Sequence, residues 1–325
     1  MMKKTAVLAA LVAAALSAAV STGAQAQAFP SKPIRLVVPY GSGGAPDVMS
    51  RHVAQRLSQT MGQQVLIENR PGAGGVVAAQ MVMSSPPDGY TLFVADTGHF
   101  GINPALFPKL PYHPLRDFTP VTIVAETPLF MAVGAAAPVQ NVRELIAQAN
   151  AKPGTLYGSS GNGSPHHLGM ELFKTLTGIN LTHVPYKGVA QSVPAVLSGD
   201  VSVILVGLTS ILPHVKAGKA RIIGVTTIER THLMPGLPTI AESGVPGYDI
   251  NVHIGFLAAA GTPREVVMKI NSEVRKVLAE PELKARLDGL GIVALGTTPE
   301  QFTERIQADL QKYAKLVKDS GTRID

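Results

Sequence analysis

Short apolar runs alternate along this chain with longer segments whose apolar residues recur at i, i+3 and i+4, the pattern of strands and helices laid down in turn. Ile34–Val38, Gln64–Ile67, Thr91–Ala95, Val121–Ala125, Leu129–Val133, Thr155–Tyr157, Leu181–Val184, Val203–Val206, Ile222–Thr226 and His253–Ala258 read as strands. Asp47–Met61, Val76–Ser84, Val142–Asn150, Pro165–Thr177, Val189–Ser198 and Thr209–Ala217 read as helices. The charged tail adds Arg264–Ala279, Pro281–Leu290 and Pro299–Lys318, each opened by a proline or a proline-led turn. This alternation predicts an α/β fold on a mostly parallel sheet.

Two extended stretches, Ala125–Pro138 and Pro246–Ala260, are broken or flanked by proline and glycine. If both cross between lobes, residues 29–126 plus 254–325 form lobe 1 and 127–253 form lobe 2. Hinge strands then lie near 125–130 and 250–256, with a cleft between the lobes. One large sheet fits the same pattern.

The first 28 residues stand apart. Lys3 and Lys4 precede an Ala/Leu/Val stretch from Thr5 to Val20, and Ala24-Gln25-Ala26 and Ala26-Gln27-Ala28 both fit the small-x-small rule of signal peptidase. We read residues 1–28 as a secretory signal peptide, cleaved after Ala26 or Ala28, that sends the chain to a bacterial periplasm. An uncleaved anchor is the alternative, although the apolar core is shorter than the roughly 20 residues of a spanning helix.

With no cysteine, the exported chain has no disulfide and no thiolate metal site, so its stability rests on packing. The formal charge is +6, or +4 without Lys3 and Lys4, with no Lys/Arg run and 5% aromatic residues. That balance suits small anionic ligands and argues against nucleic acid.

The candidate chemistry begins at LVVPYGSGGAPD, Leu36 to Asp47, where an apolar run empties into a glycine-rich loop and then a helix. Gly41, Gly43 and Gly44 let backbone approach a ligand, and a helix start offers unpaired N–H groups to a carboxylate, phosphate or sulfate. The plainer reading is a strand-to-helix turn. Glu68 to Gly75 (ENRPGAGG) is a second such loop, where Glu68 and Arg70 read as a structural ion pair. Gly158 to Pro165 (GSSGNGSP) is a third, with serine hydroxyls added. In His183 to Gly188, Tyr186 can line an apolar wall, and Lys187 reads as a solvated lysine.

PSKPIRLVVPYGSGGAPD, ENRPGAGG, PPDGYTLF, GSSGNGSPHHLGMELF, HVPYKG and PTIAESGVPGY, in this order, resemble the extracytoplasmic receptors of the tripartite tricarboxylate transporter family, also called Bug-type receptors. The likeness runs from Phe29 to the C-terminus. It implies a two-lobe α/β periplasmic binding protein of the Venus-flytrap kind, a monomer that closes on a small organic mono-, di-, tri- or aromatic carboxylate and presents it to a membrane permease or a sensor. No cofactor, metal or nucleic acid is implied. Carried over, the first loop contributes Tyr40, Gly41, Ser42, Gly43, Gly44 and Asp47, and the other lobe contributes Ser159, Ser160, Gly161, Gly163 and Ser164. Asp47 would shape its loop rather than touch an anion, because like charge costs. Thr97, Gly98 and His99 fall at a third edge loop, where His99 is either a ligand donor or a core histidine.

Some positions depart from the family. His253 stands where a tryptophan is common on the returning hinge strand, implying a more polar pocket. Ser202 and Val206 replace acidic residues, which disfavours an ammonium-bearing ligand. Ser42 and Pro46 alter the first loop. As an enzyme the chain would be a periplasmic hydrolase, but no Gly-x-Ser-x-Gly elbow, Walker loop or GxGxxG appears. His167 and Glu171, four apart on one helix face, suggest a metal only if a third ligand joins them.

Overall fold

The computed structural model describes residues 29–323, so the expected signal peptide lies outside the described residues. The chain runs β1 (Ile34–Val38), α1 (Ala45–Met61), β2 (Val65–Asn69), a 3-10 turn (Ala73–Gly75), α2 (Val76–Met83), β3 (Thr91–Asp96), a π turn (Gly98–Ile102) and α3 (Asn103–Leu106). It continues through β4 (Phe118–Gly134), α4 (Val142–Ala151), β5 (Thr155–Ser159), α5 (Pro165–Thr177), β6 (Leu181–Pro185), α6 (Val189–Ser198), β7 (Val203–Gly207), α7 (Leu208–Lys216) and β8 (Ala220–Val225). It closes with β9 (Asn251–Ala259), α8 (Arg264–Leu278), α9 (Pro281–Asp288), β10 (Val293–Ala294) and α10 (Pro299–Ser320).

Two of the expected strands are one. Val121–Ala125 and Leu129–Val133 belong to the 17-residue β4, because β9 pairs alongside it as far as Thr127↔Val252 and Pro128↔Asn251 and holds Glu126-Thr127-Pro128 extended. Pro128 has no N–H to offer a ladder, and it sits where β4 exchanges β9 for β7 and β8. β4 therefore belongs to two sheets, β2-β1-β3-β9-β4 with β10, and β8-β4-β7-β5-β6.

The sheets are mixed rather than mostly parallel. Parallel pairing holds within β2-β1-β3 and β7-β5-β6, but β9 runs antiparallel to β3, and β4 antiparallel to every strand it meets. The two crossing strands run opposite ways because one leaves the first sheet and the other returns to it.

Helices cover both faces of each sheet. In the first, α1, α8 and α9 pack on one side around Leu36, Val53, Ile254 and Val274, while α2 and the start of α10 pack on the other around Phe93, Phe100, Phe302 and Ile306. In the second, α4 and α5 enclose Met131, Leu145, Tyr157 and Phe173, and α6 and α7 enclose Phe130, Val196, Ile204 and Ile211.

One helix of the segment expected in lobe 1 does not stay with the first lobe alone. α10, opened by a Thr298/Gln301 capping box, buries Phe302, Ile306, Asp309, Tyr313 and Leu316 along one stripe. Its first two apolar residues join the first lobe's core, whereas Tyr313 and Leu316 join the second lobe's. The helix is a strap across the rear of the crossing strands.

Gly255 lets the strap sit close, since a Cβ there would lie 2.4 Å from the Phe302 ring and 3.1 Å from the Thr122 carbonyl oxygen. Gly255→Ala is expected to destabilise the fold by about 1–3 kcal/mol through overpacking. Gly41→Ala, with nothing within 4 Å of its Cβ, should stay within about 0.5 kcal/mol. Urea unfolding of both variants checks the difference.

Candidate functional site

The carboxyl ends of the parallel strands β1, β2, β5 and β7 face a cleft of about 880 Å³ between the lobes, the usual ligand position in open α/β sheets. Each strand runs into a helix there, so the N-termini of α1, α2, α5 and α7 meet at one cavity. Those of α1, α2 and α7 have no side-chain cap, their flanking residues being Gly44, Gly75 and Gly207. Their first-turn amides are available to a ligand. Thr127 and Leu129 of β4 and Val252 and Ile254 of β9 form the floor, and Phe107, Val189 and Ile292 add apolar wall. Among the described residues, no lysine or arginine lines the cavity.

In the first lobe the loop after β1 is tied down from behind. Buried Asp47 accepts the Gly43 N–H at 2.9 Å, the Asn69 amide at 2.9 Å and two Arg51 contacts at 2.9 and 3.0 Å. Burial alone would raise the Asp47 carboxyl, but the hydrogen bonds from Arg51, Asn69 and Gly43 outweigh it and hold the group below its ordinary value. Asn69 also donates to the Tyr40 carbonyl at 3.0 Å, joining the first two loops. Glu68 pairs with Arg70 and Arg35, so neither arginine reaches the cleft.

Asp96, at the end of β3, is the one carboxylate among the described residues that line the cavity, and it is fully engaged. It accepts the Tyr40 hydroxyl at 2.6 Å and the Gly98 N–H at 2.9 Å, and His99 Nδ1, which lies 3.2 Å from the Asp96 backbone nitrogen, is 2.7 Å from its Oδ1. Burial works against its charge, yet His99, Tyr40 and Gly98 together lower its pKa. The His99 ring lies under Gly75, where a Cβ would come within 2.2 Å of it. Gly72, Ala73, Gly74 and Gly75 all have positive φ, a run that curls the backbone over His99 into α2.

In the second lobe Ser164 caps α5, its Oγ accepting the His167 N–H at 3.2 Å. Ser160 Oγ is 2.8 Å from His166 Nδ1, and burial pushes that imidazole down to about 4, so it is neutral at pH 7.

Tyr40, Gly41, Gly43, Gly44, Gly98, His99, Ser160, Gly161, Gly163 and Ser164 line the cleft. Several of their amides are nevertheless spent inside their own loops. The Gly43 N–H goes to Asp47, Gly98 to Asp96, Gly161 to Ser159 Oγ and Gly163 to His167 Nδ1. Six expected residues do not line the cavity: Ser42, Asp47, Thr97, Ser159, Tyr186 and His253. Ser42 is exposed to solvent. Asp47 and Ser159 are buried loop supports, and Thr97 Oγ1 accepts the His253 N–H at 2.9 Å, tying β3 to β9. Tyr186 packs against the core of the second sheet.

His253 is corrected by strand alternation. Val252 and Ile254 face the cleft, so His253 faces the α10 strap. Burial, with Arg305 and Lys312 nearby, pushes it down to about 3. The inferences from Ser202 and Val206 fall for a like reason, because neither lines the cavity.

The sequence reading missed Gly207–Ser210 at the start of α7, although Val203–Gly207 followed directly by Leu-Thr-Ser repeats the strand, small residue, helix signal of the first loop. Asn103, which donates to the Gly74 carbonyl at 2.9 Å, and Phe107 carry no such local signal.

The model of the tripartite tricarboxylate transporter family receptor matches residues 49–322. A Pseudomonas sp. (strain P51) protein, the UPF0065 protein in the tcbD-tcbE intergenic region, is 34% identical over 308 residues, covering 94% of this chain and 91% of its own. The structure of R. palustris Rpa4515 with adipate aligns with a TM-score of 0.81 at 36% identity, covering 91% of this chain and 99% of that one. MatC from Rhodopseudomonas palustris with bound malate aligns at 0.76 and 30% identity, covering 89% and 100%. With two lobes joined by two strands, a cleft walled by helix N-termini and matches of this extent, the chain belongs to the receptor family of the tripartite tricarboxylate transporters.

Proposed function

We propose that this chain is a periplasmic solute receptor that captures a small organic carboxylate between its lobes and delivers it to a membrane permease or a sensor. The lobes pivot on β4 and β9 near Glu126–Pro128 and Asn251–His253. The observation that carries the reading is the meeting of three uncapped helix N-termini, drawn from both lobes, at one cavity that no described lysine or arginine lines.

Such a cavity binds an anion through neutral donors. Helix N-termini present aligned amides and roughly half a positive charge each. Asp96 stays ionised, but its oxygens are bound to Tyr40, His99 and Gly98 on their own side of the cleft, which screens part of its charge from the ligand. A carboxylate seated at α1 and α2 meets Ser160, Ser164 and the start of α7 only when the lobes approach, so the second lobe's contacts supply the differential affinity that favours closure. Phe107, Leu129, Val252, Ile254 and Ile292 suit the hydrocarbon or aromatic body between or beside carboxylates. Adipate and malate in the two R. palustris relatives support this ligand class.

A thermal-shift panel of mono-, di-, tri- and aromatic carboxylates, with amino acids and phosphate esters as controls, is expected to single out a carboxylate. At 100 times its dissociation constant it should add about 2.7 kcal/mol of stability. A panel in which no carboxylate raises the melting temperature would remove the proposal. Ser160→Asp is expected to weaken that carboxylate at least 100-fold, since a like charge about 5 Å away costs on the order of 3 kcal/mol at an effective dielectric of 20. Titration calorimetry, with circular dichroism to show an intact fold, checks it. Unchanged affinity would take the Ser159–Ser164 turn out of the site.

A further inference from the structure

The Ser159–Ser164 turn is held from behind by two histidines that do not line the cleft. His167, on the first turn of α5, and His183, on β6, are stacked with ring centroids 3.9 Å apart and planes 8° apart. Tyr157 of β5 stacks at 4.9 Å from His183. His167 Nδ1 accepts the Gly163 N–H at 3.1 Å, and His183 Nε2 lies 2.7 Å from Ser159 Oγ.

The direction of the second bond follows from its neighbours. The Gly161 carbonyl oxygen already accepts the Ser164 N–H at 3.2 Å and the Ser164 hydroxyl at 2.8 Å, which fills its two lone pairs. Ser159 Oγ also lies 3.1 Å from that oxygen, but His183 Nε2 is nearer at 2.7 Å, so the Ser159 hydroxyl hydrogen is assigned to His183 Nε2, and Ser159 Oγ accepts the Gly161 N–H at 3.0 Å. Both ends of the turn hang on an acceptor nitrogen, and a protonated imidazole has none.

The surroundings favour the neutral rings. Glu171 and Lys174 of α5 are the charged groups beside the pair, and Glu171 is committed to Lys174 at 2.8 Å and to the Tyr157 hydroxyl. His167 Nε2 stands 3.9 Å from Glu171, beyond hydrogen-bond reach. His166 is engaged with Ser160. Burial lowers the pKa of His167, and burial together with the facing His167 ring pushes His183 down to about 4.

We propose that His167 and His183 are positioning residues for anion capture, a stacked pair of neutral acceptors that sets the shape of the Ser159–Ser164 turn without touching the ligand. The inference rests on the reading of that turn as part of the anion seat. It assigns a role to the His-His-Leu-Gly-Met-Glu segment that a metal reading of His167 and Glu171 would otherwise claim.

The first test needs no ligand. In ¹⁵N spectra of the wild-type protein at pH 6, both rings should be neutral, with His167 Nδ1 and His183 Nε2 unprotonated and the Gly163 amide protected from exchange. His167→Leu should abolish that protection, and His167→Asn, whose side-chain oxygen replaces Nδ1, should restore it. The second test titrates benzoate, succinate, malate, adipate and citrate. The tightest of these should weaken about tenfold or more in His167→Leu and His183→Leu, the effect of losing one buried hydrogen bond, and stay within about threefold in His167→Asn and His183→Gln. Leucine variants that bind like wild type, or Asn and Gln variants that fall as far as leucine, would reduce the pair to packing. Should the leucine variants not fold, a charged ring at pH 6 in the wild type overturns the inference by itself. If no probe binds the wild type, the anion-seat reading fails, while the Gly163 amide and ring signals still decide how the turn is held.

Discussion

The antiparallel ladder between β4 and β9 is the interaction on which the rest of the molecule depends. It runs from Phe118↔Ala259 to Pro128↔Asn251, and beyond it β4 alone continues into the second sheet. Alternation along these strands divides the hinge into a front and a rear. Thr127, Leu129, Val252 and Ile254 floor the cleft, and Glu126 and His253 turn toward the strap formed by α10. Burial pushes His253 down to about 3 and Glu126 and Asp309 up, each toward its uncharged form, which reduces the desolvation cost of covering the hinge with a helix.

The front of the hinge works by another economy of charge. Around the cleft the ionisable groups hold loops rather than ligand: Asp47 fastens the first loop, Asp96 braces Tyr40 and His99, and two neutral histidines fasten the Ser/Gly turn. What faces the cavity is mostly backbone, hydroxyl and hydrocarbon, and the ionisable groups on its wall, Asp96, His99 and His166, are engaged with residues of their own lobe. The βα junctions are therefore supported at both ends, and lobe movement carries them as preformed units rather than rebuilding them. Preorganised donors of this kind lose little on binding, because their ordering cost was met in folding.

Much of this was legible in the sequence. Strand and helix periodicity located most elements to within a few residues, and glycine-rich junctions after apolar runs marked three of the four strand-to-helix junctions of β1, β2, β5 and β7 at the cleft. The failures have common causes. Glu126-Thr127-Pro128 looks like a break because its extended state is enforced by a partner strand more than 120 residues away, which no local signal records. His253 is expected in the pocket from its place in the family resemblance, and alternation alone cannot correct that, since it fixes which residues share a face and not which face is the cleft. The glycine amides of the loops were counted as donors, although Asp47, Asp96, Ser159 and His167 had already claimed them. Mixed strand direction is likewise a matter of crossings, and crossings are long-range.

A cleft that no described lysine or arginine lines also sets how the receptor meets its ligand in time. Dipoles at helix starts act over the last few ångströms, whereas a fixed charge reaches out to a Debye length of about 8–10 Å in ordinary saline. Long-range steering must then come from the net positive charge of the whole surface, and it fades as salt rises. The grip inside the cleft does not. Exposed to the salinity of its surroundings, such a receptor would lose capture speed in strong brine while keeping its hold on each molecule it had caught.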